Sequence, residues 1–69
     1  MTLSLKAIAE TVRTARTTRA WSQTELAKQS GLSRPTIARI EAGQDVSLRS
    51  VAKVGEALQL DLALVAASS

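Results

Sequence analysis

Residues 21–43 read WSQTELAKQSGLSRPTIARIEAG, and this stretch decides the fold. Ser22 followed three residues later by Glu25 is a capping box, so a helix begins there. Trp21 just before the cap and Leu26 one turn in form a hydrophobic staple that sets the angle of entry. The helix runs to Ser30, and Gly31 ends it where a left-handed backbone is cheapest. Ser33 then caps a second helix, with Leu32 and Ile37 as its staple and Pro35 in the first turn, where a missing N–H costs nothing. Ile37 and Ile40 point inward, and Gly43 terminates this helix in its turn. Two short capped helices joined only by Gly31 and Leu32 make a helix-turn-helix. It buries the Ile face of the second helix and exposes that helix's start, namely Ser33, Arg34, Pro35, Thr36 and Arg39.

On the N-terminal side, Leu5, Ile8, Val12 and Ala15 recur at helical spacing and predict a helix from about Ser4 to about Arg19. Its end is poorly signalled, since Thr17 and Thr18 are weak helix formers. On the C-terminal side, Ser47 caps a fourth helix. Val46 and Val51 are its staple, and Leu48, Val51, Val54 and Leu58 its apolar stripe. Leu60, Leu62 and Leu64 then alternate with Asp61 and Ala63, the period of a half-buried strand over about 59–66. A fifth short helix is the other reading, and the alternation favours the strand. One strand in a helical chain leaves unpaired backbone groups. Antiparallel pairing with the same strand of a second copy across a twofold axis satisfies them, so a homodimer is expected. The expected architecture is a single all-α domain over 1–69, a four-helix helix-turn-helix bundle with its core at about 5–58 and a C-terminal dimerisation strand.

Sixty-nine residues lie near the lower limit for folding on one core, which also favours oligomerisation. There is no Cys and no His, so no thiolate metal site, no disulfide and no histidine base exist. Tyr is absent as well, and no Gly-rich phosphate loop is present, which leaves no nucleophile–base pair for an enzyme. No cofactor or metal is expected. No apolar run approaches the ~20 residues that span a bilayer, and the first residues carry no secretory signal, so a cytoplasmic protein with no membrane partner is expected. The net charge of +3 is unevenly spread. Residues 1–40 hold seven basic and two acidic side chains, and the remainder two basic and four acidic. Such a basic first part attracts polyanions, or is an ordinary solvated face.

The exposed residue types of the second helix suit the DNA major groove. Arg34 and Arg39 offer planar forks that bond guanine O6 and N7 together. Ser33 and Thr36 can bond base edges or phosphates, and Pro35 and Thr36 can touch a thymine methyl. The N-terminus of the preceding helix presents unpaired N–H groups to a phosphate, with Gln23 placed to add a side-chain donor.

The stretch resembles the helix-turn-helix of the lambda-repressor and Cro group, the XRE family. The shared pattern is a Gln at the start of one helix, then ELA, a Gly turn, and a capped helix ending in Ile-Glu-x-Gly. The resemblance covers about residues 5–58. It implies that Gln23 contacts a phosphate, and that Ser33, Arg34, Thr36 and Arg39 reach bases or phosphates. It implies a partly buried ion pair between Arg16 and Glu41, although Arg16 can also be read as a phosphate contact. Pro35 departs from the hydrogen-bonding residue found there in some members. The tail LQLDLALVAA resembles the C-terminal strand of HipB-type antitoxins, which builds their dimer through positions such as Leu60, Leu62 and Leu64. That layout implies a cognate toxin partner, a HipA-like kinase.

The function expected is a sequence-specific repressor that binds a palindromic double-stranded DNA operator as a homodimer, with an antitoxin role in a toxin–antitoxin pair. The other class is a helix-turn-helix interaction adaptor without DNA binding. Arg34 and Arg39 argue against it, because an adaptor face has no need of exposed forks.

Overall fold

Four serines start four helices in the computed structural model, which describes residues 4–60. Ser4, Ser22, Ser33 and Ser47 all have extended backbones, and each hydroxyl accepts the backbone N–H three residues on, at 3.0–3.3 Å. Each such cap satisfies one orphan donor and contributes about 1 kcal/mol. The helices they start are α1 (Leu5–Thr18), α2 (Gln23–Ser30), α3 (Arg34–Glu41) and α4 (Leu48–Leu58).

The helix ends also share one geometry. A residue at positive φ follows each helix: Ala20, Gly31, Gly43 and Gln59. The next N–H then closes back five residues, from Trp21 to Arg16, Leu32 to Ala27, Gln44 to Arg39 and Leu60 to Gly55, at 2.8–3.1 Å. These are Schellman closures, and in three of them the residue that follows is apolar and folds onto the core. Trp21, Leu32 and Leu60 are half-buried in this way. The end of α1, unreadable from composition, is therefore closed by an alanine in the conformation that glycine takes at Gly31.

Left-handed backbone costs an L-residue roughly 1–2 kcal/mol. Part of that is recovered by glycine, less its larger entropy in the unfolded chain. Ala20→Gly is therefore expected to raise stability by about 0.5–1 kcal/mol in urea denaturation. The reverse change, Gly31→Ala, is expected to lower it by about as much, through the backbone alone, because a Cβ there meets nothing within 4 Å. An Ala20→Gly protein less stable than the parent would mean that φ at this position is not what limits α1.

The core is one cluster built from every helix. It joins Ile8 and Val12 of α1, Leu26 and Ala27 of α2, Ile37 and Ile40 of α3, and Val51, Val54 and Leu58 of α4. The helix α3 packs on α1 and α2, and α4 packs on α2 and α1. Leu48 departs from the expected stripe. It is 68% exposed, because it is the first residue of α4 and lies a turn ahead of the part that the other helices cover. The buried stripe of α4 is Val51, Val54, Gly55 and Leu58.

Arg19 ties the ends of α1 and α4 together. Its Nη2 donates to the Leu58 carbonyl at 2.8 Å, and its guanidinium lies 5.7 Å from the centre of the Trp21 ring. A cation on the last carbonyls of α4 also opposes that helix's dipole. The expected strand over 59–66 is not borne by its first residues: Gln59 is the C-cap of α4, and no strand occurs among the described residues. Leu60 packs against the core, whereas Leu62 and Leu64 lie outside the described residues.

Candidate nucleic-acid interface

The helix α3 is held by one face and offers the other. Ile37, Ile40 and Glu41 are buried, while Ser33, Arg34, Pro35 and Arg39 are exposed and Thr36 is half-buried. The Ser33 hydroxyl lies 2.8 Å from the Thr36 hydroxyl and also caps the Thr36 N–H, so both side chains are partly engaged within the turn. Arg34 and Arg39 make no ion pair and no hydrogen bond among the described residues. Both side chains are exposed, and a rigid planar fork suits an anion or a base edge.

Ala38 was not singled out in the sequence. It lies between Arg34 and Arg39 on the outward half of α3, half-exposed, where its methyl can meet a thymine methyl. Helical periodicity from Ile37 and Ile40 was enough to find it, since Ala38 and Arg39 between these two inward positions face away. Beside this face, Thr36 and Arg39 share an open groove with Asp45, Val46, Ser47 and Ser50 at the start of α4.

Glu41, at the other end of α3, is only 4% exposed and organises the base of the site. Arg16 meets it with both prongs: Nε donates to Oε2 at 2.7 Å and Nη2 to Oε1 at 2.9 Å. The third arm, Nη1, donates to the Trp21 carbonyl at 2.8 Å. One side chain thus joins α1, the end of α3 and the residue before the α2 cap. Its hydrogen bonds to Glu41 raise the Arg16 pKa; burial opposes them and the Glu41 charge adds to them. No buried side-chain polar atom is left without a partner among the described residues.

Gln23 is the first residue of α2 and half-buried. Its amide nitrogen lies 3.4 Å from Glu41 Oε1, near the limit of a hydrogen bond. Only one of its two N–H groups is used there. Arg13 also converges on Glu41, through a hydrogen bond from Nη2 to the Glu41 main-chain carbonyl and with Nε 3.8 Å from Oε1. No motif or spacing marks this contact. Arg13 sits on the polar side of α1, and reach across to α3 is a property of the fold rather than of any spacing.

Among the described residues no cluster of acidic side chains could hold a metal ion, and no helix is long and apolar enough to cross a membrane.

Comparison with solved structures finds the same fold in other proteins. A point mutant of the Restriction-Modification Controller Protein C.Esp1396I superposes with a TM-score of 0.75 at 21% identity, over 88% of this chain and 80% of that one. An HTH_3 family Transcriptional Regulator from Vibrio cholerae gives 0.77 at 21% identity, over 94% of this chain but only 37% of that one. No curated protein matches the sequence. A family model described as Helix-turn-helix, HTH_3, matches residues 12–65, which is most of the chain. The capped turn of residues 22–43 lies wholly inside that match, and the chain belongs to the HTH_3 helix-turn-helix family.

Proposed function

We propose that this protein is a sequence-specific DNA-binding transcriptional repressor that acts as a homodimer on a palindromic operator. The observation that carries this reading is the outward face of α3, where Arg34 and Arg39 stand exposed, with no partner among the described residues, on a helix packed on α1 and α2. In this reading α3 lies in the major groove, where Arg34 and Arg39 read base edges. Ser33 and Thr36 contact bases or phosphates from the first turn, and Gln23 binds a phosphate at the start of α2. The two similar solved structures, a restriction-modification controller and a transcriptional regulator, support a regulatory role.

The dimer in this reading is built by the tail, with Leu60, Leu62 and Leu64 as its apolar row. Leu60 lines an open groove with Glu10, Thr11, Thr14 and Ala15 of α1, so the chain leaves α4 beside a half-apolar surface that a second copy can cover. Two recognition helices would then meet successive major grooves about 34 Å apart. An antitoxin role belongs to the same reading where a HipA-like kinase gene neighbours this one. It draws on the tail's resemblance and on nothing in residues 4–60. A cytoplasmic location goes with a DNA-bound regulator.

The test is binding to the DNA upstream of its own gene, followed by gel shift over a salt series, with the mass in solution measured alongside. The expected result is a dimer whose affinity for one palindromic site falls by orders of magnitude as salt rises, because counterions are released from the phosphates. A folded protein that binds no site at low salt would overturn the reading and point to the adaptor class.

A further inference from the structure

We infer that Arg13 is a second phosphate-binding residue, which works with Gln23 as a two-donor clamp on one backbone phosphate, with Glu41 as the hinge that holds both. The inference rests on the DNA-binding reading above and adds to it a residue of α1, a helix otherwise devoted to the core.

The argument begins with charge. Glu41 supplies one negative charge, and Arg16 already satisfies it with two short hydrogen bonds. Arg13 is therefore surplus to that pair. Its Nε is 3.8 Å from the carboxylate, its side chain is 54% exposed, and no other acidic side chain comes within 4 Å of it among the described residues. Arg13, Arg16 and Glu41 together carry one uncompensated positive charge. A structural brace needs no such excess, and an anion removes it.

The geometry adds a place for the anion. Gln23 Nε2 is 3.4 Å and Arg13 Nε 3.8 Å from the same atom, Glu41 Oε1, so the two nitrogens are at most 7.2 Å apart. Separate oxygens of one phosphate, each at about 2.9 Å from its donor, can bridge two groups so placed. Both heads have N–H groups to spare: one on the Gln23 amide, and those on the Arg13 guanidinium beyond its bond to the Glu41 carbonyl. Glu41 also orients the amide, because a carboxylate accepts only from the NH2 side of Gln23, which keeps a donor rather than the amide oxygen at the shared edge. The Arg13 bond to the last carbonyl of α3 fixes the guanidinium at the end of the recognition helix, so the clamp and the base-reading face move as one body. Arg13 and Glu41 also border an open groove with Lys6 and Glu10, in which Lys6 offsets Glu10 and Arg16 already pairs with Glu41 from behind.

The experiment measures fluorescence anisotropy on a generic DNA duplex and on the operator over a salt series, for the wild type, Arg13→Gln and Arg13→Lys, with thermal melts of all three. The expected result for Arg13→Gln is a slope of log K against log salt that is shallower by about 0.9, the value of one lost phosphate contact, on both DNAs. Arg13→Lys keeps the charge and is expected to keep the slope, although it loses the bond to the Glu41 carbonyl and melts lower. A wild-type slope in Arg13→Gln, whatever its melting temperature, would overturn the inference and make Arg13 a brace alone. Absence of DNA binding by the wild type would remove the reading on which it stands, and the wild-type arm shows that separately. Where Arg13→Gln does not fold, Arg13→Met, which removes the same charge, is read in its place, and a wild-type slope there overturns the inference in the same way.

Discussion

Arg16→Met is expected to cost about 3 kcal/mol of folding stability, more than any other single polar change in this domain. The reason is what it leaves behind. Glu41 is 4% exposed, and removing one partner of a buried pair strands a charge that water cannot reach. Arg13 at 3.8 Å and Gln23 at 3.4 Å remain nearby, yet neither replaces two hydrogen bonds of 2.7 and 2.9 Å. The Trp21 carbonyl loses its donor as well. At about 0.1 kcal/mol per residue, a domain of this size has roughly 7 kcal/mol in all, so the loss is a large share of it. Urea denaturation measures the effect, and a change under 1 kcal/mol would show that the pair is not what holds α1 to α3. The double variant Arg16→Met/Glu41→Leu is expected to recover most of the loss, because apolar replacement of a whole buried pair is often neutral. That recovery would separate the cost of an orphaned charge from the worth of the pair.

The sign of the pH dependence follows from the same bonds. They raise the Arg16 pKa, so on the basic side the contribution is present below the ordinary arginine value and is lost as pH climbs through the raised folded value. The stability gap between wild type and Arg16→Met is therefore expected to stay level from neutral into mildly alkaline buffer.

Much of this architecture is legible in the sequence because its signals are local. A serine before each helix and a glycine after α2 and α3 each act within four residues, through a hydroxyl on an N–H or a backbone free to turn left. The resemblance of residues 21–43 to a known family pointed to the Arg16–Glu41 contact, which no spacing would show. What the residues hide is instructive for the same reason. Ala20 and Gln59 adopt the glycine-like conformation because the apolar residues after them, Trp21 and Leu60, gain burial by it, and that gain is tertiary. The capping box at Ser22 forms by halves: the hydroxyl takes the Glu25 N–H, while the Glu25 carboxylate accepts from Gln29 one turn on, at 2.8 Å. Leu48 fits the periodicity of α4 and still faces solvent, because periodicity says which side a residue is on and not how far the neighbouring helices extend. Arg13 and Arg19 read as surface charge, yet each reaches a carbonyl at the end of another helix.

Arg34→Ala/Arg39→Ala is expected to weaken operator binding by at least about thirty-fold while leaving the fold intact. Each arginine removed from a base edge costs roughly 1–3 kcal/mol, so the pair together costs about 2–6 kcal/mol, a fall in affinity from about thirty-fold to about ten-thousand-fold. Neither side chain is engaged within the described residues, so urea denaturation is expected to agree with the wild type within about 0.5 kcal/mol. The contrast with Arg16→Met is the point: of these three arginines, one ties helices together, and the other two hold nothing among the described residues. Each single variant is also expected to relax base preference at a different operator position in a randomised-site selection, since a base-reading fork carries sequence information and a phosphate contact does not. Generic DNA supplies the control. Losing the two proposed base readers would leave the proposed phosphate contact of Gln23 in place, so the ratio of specific to generic affinity is expected to fall more than generic affinity does. If the double variant keeps that ratio, the outward face of α3 does not read sequence. The exposed start of α4, with Asp45, Ser47 and Ser50 beside Arg39 in one groove, then becomes the surface to test.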